Sequence, residues 1–167
     1  IDHLTSVFVP EYKEKVSVMD VRPLTDVMAT LRSPGGCPWD MEQTHSSIRK
    51  SLIEEVYELL EAIDNMDYEN MKEELGDVLL QVVFHARLAE EEGAFTMQDV
   101  VDEIVNKLIR RHPHVYGTIE VGSSDEVLQN WDAIKQTEKK ERTRVLDGVT
   151  KGQPALMRAY KLNSKAA

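Results

Sequence analysis

Apolar side chains recur at helical spacing through almost the whole chain, and that periodicity leaves few folds open. Ile48, Leu52, Val56, Leu59 and Ile63 step by four and three over residues 46–65. They form one stripe of an amphipathic helix, with Ser46 or Ser47 as its N-cap. A second helix is predicted from Glu69 to Glu92. It is apolar on more than one side around Val78–Phe84, so it should be the most buried element, and Gly93 ends it. A third follows Thr96, where Thr96-x-x-Asp99 resembles a capping box with Asp in place of Glu. Its stripe of Val100, Val101, Ile104, Val105 and Leu108 runs on until Pro113. A shorter helix is expected over Pro23–Leu31, ahead of the Pro/Gly loop SPGGCPWD, and a more charged one over Ser124–Arg144. No strand alternation stands out. The expected fold class is all-α, a helix bundle.

The 167 residues suit one domain with a single core. Residues 1–20 lack a clear period and read as a linker or the remnant of an upstream module. The helical domain occupies 21–144, and 145–167 reads as a turn-rich linker followed by the truncated start of a further helical segment. Thirty acidic residues face 20 basic ones, a net charge of −10, and the distribution is uneven. Residues 54–77 hold ten acids and one base, Lys72, so this window alone carries −9. A pI near 5.0 without a basic stripe argues against duplex nucleic acid as a partner. No membrane-length apolar run or signal-peptide pattern is present. The lone Cys37 excludes an internal disulfide and a four-thiolate zinc site. These features fit a soluble cytoplasmic domain.

The acidic block has an internal pattern. Glu55 and Glu58 are three apart, Glu54 and Glu58 four apart, and Glu74 and Asp77 repeat the three-residue step on the next helix. Either spacing puts two carboxylates on one face. Two antiparallel helices joined by a short turn would bring both pairs to a common point, where like charges need a counter-charge or water. An all-oxygen cluster fits Mg²⁺ or Mn²⁺ rather than zinc or copper. Acid-rich helix faces are commonly just solvated surface. Against that, Glu55 and Glu58 flank the apolar residues Val56 and Leu59, and Glu74 and Asp77 sit against the most hydrophobic helix. Gly76 between them is a costly helix residue that permits close approach of a neighbour. Lys107 and Arg111 stand four apart on the third helix, a basic pair suited to phosphate or to the helix dipole. His112, His114 and His85 read as structural, and Trp39 and Trp131 as packing or base-stacking residues.

Together these segments resemble the MazG family of nucleoside triphosphate pyrophosphohydrolases. The matching stretches are LRSPGGCPWDMEQTH (31–45), SLIEEVYELLEAID (51–64), EELGDVLLQVVFHARLAEEEGAF (73–95) and KLIRRHPHVYG (107–117). The defining signature is Glu54-Glu55-x-x-Glu58 and, after 15 residues, Glu74-x-x-Asp77. The resemblance implies an all-α NTP pyrophosphatase fold. It also implies Mg²⁺-dependent hydrolysis of NTPs or dNTPs between the α- and β-phosphates, giving the monophosphate and pyrophosphate. It implies a homodimer or higher homo-oligomer. Carried over by position, Glu55, Glu58, Glu74 and Asp77 match the metal-binding carboxylates, and Glu54 the remaining motif acid. Lys107 and Arg111 match basic positions that grip the triphosphate, and Trp39 and Trp131 fall in family-typical motifs. Some members carry two such domains in tandem, and PALMRAYKLNSKAA looks like the opening of a second. A competing function is a helical oligomerisation module whose acidic face binds metal or a basic partner without turnover; the intact signature together with Lys107 and Arg111 favours the enzyme.

Overall fold

The computed structural model describes residues 20–138 and 149–166, which are helix, turn and loop without a strand. The all-α expectation holds. Nearly all of the expected 1–20 linker, residues 139–144 of the predicted Ser124–Arg144 helix and the first part of the 145–153 break lie outside the described residues. The helices are α1 (Arg22–Leu31), α2 (Pro38–Glu42), α3 (Arg49–Asp64), α4 (Tyr68–Glu91), α5 (Met97–Arg111), α6 (Pro113–Tyr116), α7 (Ser124–Glu138) and α8 (Ala155–Ala166). Among the described residues no helix is long and apolar enough to cross a membrane. The chain divides into two compact units, one reaching Val105 and the other beginning at Asn106.

In the first unit, α3 and α1 both pack on α4. Met28 of α1, Ile48 just ahead of α3, and Val83, Phe84 and Leu88 of α4 form the buried cluster. Val21, Leu24, Leu80 and Met97 pack against it. The helix expected to be the most buried is indeed α4, but its buried residues run from Gln81 to Ala89, a turn or so later than the apolar stretch indicates. On α3 the predicted stripe is only partly covered. Ile48 is buried, whereas Val56 and Ile63 stay exposed together with Ile53, Tyr57 and Leu60. A broad apolar face of α3 is therefore free of packing within its own unit.

Local chemistry explains the ends of these helices. Neither Ser46 nor Ser47 caps α3, which begins after Ile48. Ser47 is drawn instead into the preceding turn, where its N–H donates to Thr44 Oγ1 at 3.2 Å and its Oγ accepts from the Thr44 N–H at 2.9 Å. The expected Thr96–Asp99 box is present: the Thr96 N–H donates to Asp99 Oδ2 at 2.8 Å, and the Asp99 N–H to Thr96 Oγ1 at 3.2 Å. Gly93 terminates α4 in the left-handed region at φ +69°, with the Ala94 N–H donating to Ala89 O at 2.9 Å. At the end of α3 the same motif falls on Met66, at φ +52°, with Asp67 N–H on Ala62 O at 3.0 Å. Asp67 then caps α4 by accepting from the Asn70 N–H at 3.2 Å. Three residues thus reverse the chain between α3 and α4.

Two substitutions in this hairpin should stabilise the chain for opposite reasons. A left-handed L-residue costs about 1–2 kcal/mol, part of which glycine returns as unfolded-state entropy, so Met66→Gly should add about 0.5–1 kcal/mol. Gly76 is expected to admit a close neighbour, yet a Cβ there would meet nothing within 4 Å. Gly76→Ala should therefore add a similar amount, about 0.5–1 kcal/mol, by helix propensity alone. Urea melts of each variant should show a higher midpoint with an unchanged slope; a lowered midpoint would contradict the local account.

Candidate metal centre and active site

The hairpin sets the register of the carboxylates. Glu58 stands six residues before the last residue of α3, and Glu74 six residues after the first of α4. Glu55 and Asp77 stand nine residues away on the same two sides. Both pairs are symmetric about Met66, so folding back at that residue brings them level. One carboxylate oxygen each from Glu55, Glu58 and Glu74 lies within 4.8 Å of the others. Glu55 and Glu74 are half-buried and Glu58 is exposed. Asp77 lies outside this trio, yet its charge acts on both Glu55 and Glu74. Glu54 is turned to Lys50, whose Nζ is 2.7 Å from Glu54 Oε1, and it is not one of the trio.

Electrostatics follow from that crowding. Burial, then the negative charges of Asp77, Glu58 and Glu74, push the Glu55 carboxyl above its ordinary range. Burial, then Glu58, Asp77 and Glu73, do the same to Glu74. Two nearby lysines are engaged elsewhere, Lys50 with Glu54 and Lys72 with Glu69. A set of facing carboxylate oxygens short of positive charge has the donor chemistry of a hard divalent cation site.

The basic and aromatic candidates are placed differently. Trp39 is 61% exposed on α2. Lys107 and Arg111 lie on the part of α5 that belongs to the second unit, as does Trp131 on α7. Arg111 Nη2 is 2.5 Å from Glu138 Oε2, and its guanidinium lies 5.4 Å from the Trp131 ring centre. Arg110 Nε reaches the other Glu138 oxygen at 2.6 Å. Hydrogen bonds from Arg111, then Arg110, pull the Glu138 carboxyl down to about 2. Trp131 also takes His112 edge-on at 4.9 Å, while His112 Nδ1–H donates to Leu108 O at 2.6 Å. Both contacts are packing contacts of the kind expected of a structural histidine. His85 is half-buried and shares a hydrogen bond with His45, Nδ1 to Nδ1 at 2.8 Å. Glu138, His45 and Arg32 carry no signal in local sequence, because their partners lie 27, 40 and 59 residues away.

Comparison with known proteins bears on the same segment. Residues 43–116 match the family model of the MazG nucleotide pyrophosphohydrolase domain. Over these residues the chain belongs to the MazG family. It is 49% identical over 145 residues to the nucleoside triphosphate pyrophosphohydrolase/pyrophosphatase MazG of Thermotoga maritima, covering 86% of this chain and 55% of that protein. To the nucleoside triphosphate pyrophosphohydrolase of Escherichia coli K12 it is 44% identical over 147 residues, 86% of this chain and 56% of the relative. It is 48% identical to the uncharacterized protein YabN of Bacillus subtilis, over 97% of this chain and 34% of that one. The chain thus spans about a third to a little over half the length of these relatives. The crystal structure of a MazG-related protein from Thermotoga maritima is similar with a TM-score of 0.59 at 25% identity, covering 70% of this chain and 99% of that one. The all-helical architecture is therefore that of the MazG fold.

The raised carboxyls set a sign for the pH dependence. Glu55 and Glu74 bind protons more tightly folded than unfolded, so their contribution to stability is present at acid pH. It is lost as pH rises through their raised values. A cation that bound only the folded domain would restore it. Thermal melts should show no Mg²⁺ effect below the ordinary carboxylate range and an increasing rise in Tm above it. A Tm indifferent to Mg²⁺ at neutral pH would rule out the cation site.

Proposed function

We propose that this chain hydrolyses nucleoside triphosphates, ribo or deoxy, between the α- and β-phosphates, releasing the monophosphate and pyrophosphate in a Mg²⁺-dependent reaction. The observation that carries the reading is the convergence of Glu55, Glu58 and Glu74 within 4.8 Å, with Asp77 acting on them from beside. These four carboxylates hold the cation, with Mn²⁺ as a substitute. When bound, Mg²⁺ supplies the positive charge that lets phosphate oxygens approach an acidic surface. Water adds to phosphorus, the bridging P–O bond breaks, and a motif acid not engaged with the cation removes the proton. Glu54 is the motif acid outside that set, and it serves by giving up Lys50.

Lys107 and Arg111 offset charge on the departing pyrophosphate, Arg111 by exchanging Glu138 for phosphate. Trp39, exposed on α2, stacks on the base, and Trp131 contributes through the packing it shares with Arg111. The uncovered apolar residues Ile53, Tyr57, Leu60 and Ile63 of α3 support a homodimer or higher homo-oligomer. The single cysteine supports a reduced, cytoplasmic setting.

Glu58→Ala and Asp77→Ala should each reduce pyrophosphate release from NTPs by at least about a hundredfold while the far-UV spectrum is kept. EDTA should abolish release by the wild type. Pyrophosphate release by either variant at the wild-type rate would overturn the assignment. A folded wild type that yields no Mg²⁺-dependent product from any common NTP or dNTP would favour the non-catalytic module.

A further inference from the structure

Between α1 and α3 the chain crosses residues 32–48, a segment that carries Trp39 and is fastened to α4. Arg32 does most of the fastening, with its side chain only 7% exposed. Its Nη2 lies 2.7 Å and its Nε 3.1 Å from the Glu91 carboxylate at the end of α4. Its Nη1 donates to the carbonyls of Asp40, within α2, and Gln43, just after it, the latter at 3.3 Å. The guanidinium stacks 5.4 Å from the centre of the buried Phe84 ring. Glu91 is held from the other side by Arg87 Nε at 2.8 Å. One fork of donors thus ties the α2 backbone to α4.

The rest of the segment is equally fixed. Gly36 closes on the end of α1, where a Cβ would collide with the carbonyl oxygens of Leu31 and Thr30, and the Cys37 N–H donates to Leu31 O at 2.8 Å. Gln43 Nε2 donates to the Trp39 carbonyl at 2.8 Å, and the His45–His85 bond anchors the far end to α4. Trp39 alone among these groups is left with more than half its surface in water. A large ring left open on a braced five-residue helix gains little burial there, which fits a platform for a planar ligand.

We propose that Arg32 is a positioning residue for nucleoside recognition: it fixes α2 so that Trp39 is preset to receive the base. This rests on the nucleotide reading above. Lysine cannot replace Arg32, because a single ammonium cannot serve the Glu91 carboxylate and two carbonyls in one plane. Glu91→Gln opens the same clasp from the other side.

The test compares Arg32→Lys and Glu91→Gln with wild type on ATP, GTP and methyl triphosphate, which lacks a nucleoside. Both variants should raise KM for the nucleotides by about five- to tenfold, the lower end of what a stacking contact contributes, with kcat and methyl triphosphate hydrolysis unchanged. Arg32→Lys combined with Trp39→Ala should be no worse on ATP than Trp39→Ala alone. Equal losses on methyl triphosphate and ATP, additive effects with Trp39→Ala, or an unmoved KM in folded variants would each overturn the positioning role. If Arg32→Lys fails to fold, Glu91→Gln decides by the same comparisons. A wild type that hydrolyses none of the triphosphates overturns the nucleotide reading itself, and this role with it.

Discussion

Like charges do not gather on neighbouring helices unless the backbone holds them there, and here the restraint is the turn between α3 and α4. The spacing of 15 residues between Glu58 and Glu74 has a direct physical meaning. It is the length needed to finish α3, reverse over Asn65, Met66 and Asp67, and climb α4 back to the level of Glu58. The left-handed Met66 and the capping Asp67 set that length locally. The buried cluster of Phe84, Val83 and Ile48 sets it again at the far end of the pair. A slip of one residue would rotate a helix by about 100° and scatter the acids onto different faces. The hairpin and the acid cluster therefore specify each other.

Much of this was legible before any coordinates. Period 3.6 gave the helices, Gly93 and the Thr96–Asp99 pair gave two of their ends, and the i, i+3 spacing of the acids placed both pairs on single faces. What was hidden has a common cause, which is competition between distant groups. Ser47 has the chemistry of a cap, but Thr44 reaches it first. Ile53 and Leu60 are as apolar as Leu52 and Leu59, and the placement of α4 decides which become covered. Arg32 resembles any helix-end arginine until Glu91, 59 residues on, comes beside it. Periodicity reports what a residue prefers, and long-range packing reports which preference is met.

Arg111 illustrates the same competition at a functional candidate. Its guanidinium is divided between Glu138 and the face of Trp131, and Arg110 reinforces the hold on Glu138. A carboxylate drawn down to about 2 stays charged at neutral pH, so a phosphate, in the role proposed for Arg111, would have to displace a strong ligand. The arrangement orients the arginine at the cost of intrinsic affinity. Contacts to phosphate would then strengthen where charge is greatest, as on a departing pyrophosphate, more than on a resting triphosphate.

The acidity of the chain bears on the same point. A charge of −9 over 24 residues repels a polyanion, and by itself such a surface selects against nucleotides. Burial first, and then that repulsion inside the cluster, makes the Glu55 and Glu74 carboxyls resist ionising. A divalent cation relieves both problems with one charge, since it stabilises the carboxylates and presents a positive face to the phosphates. A free triphosphate and a metal-free site are then poor partners, whereas a triphosphate arriving with its cation meets a surface whose excess charge matches it. In the proposed reaction the acidic block would therefore select for the metal complex of the nucleotide and against the bare anion.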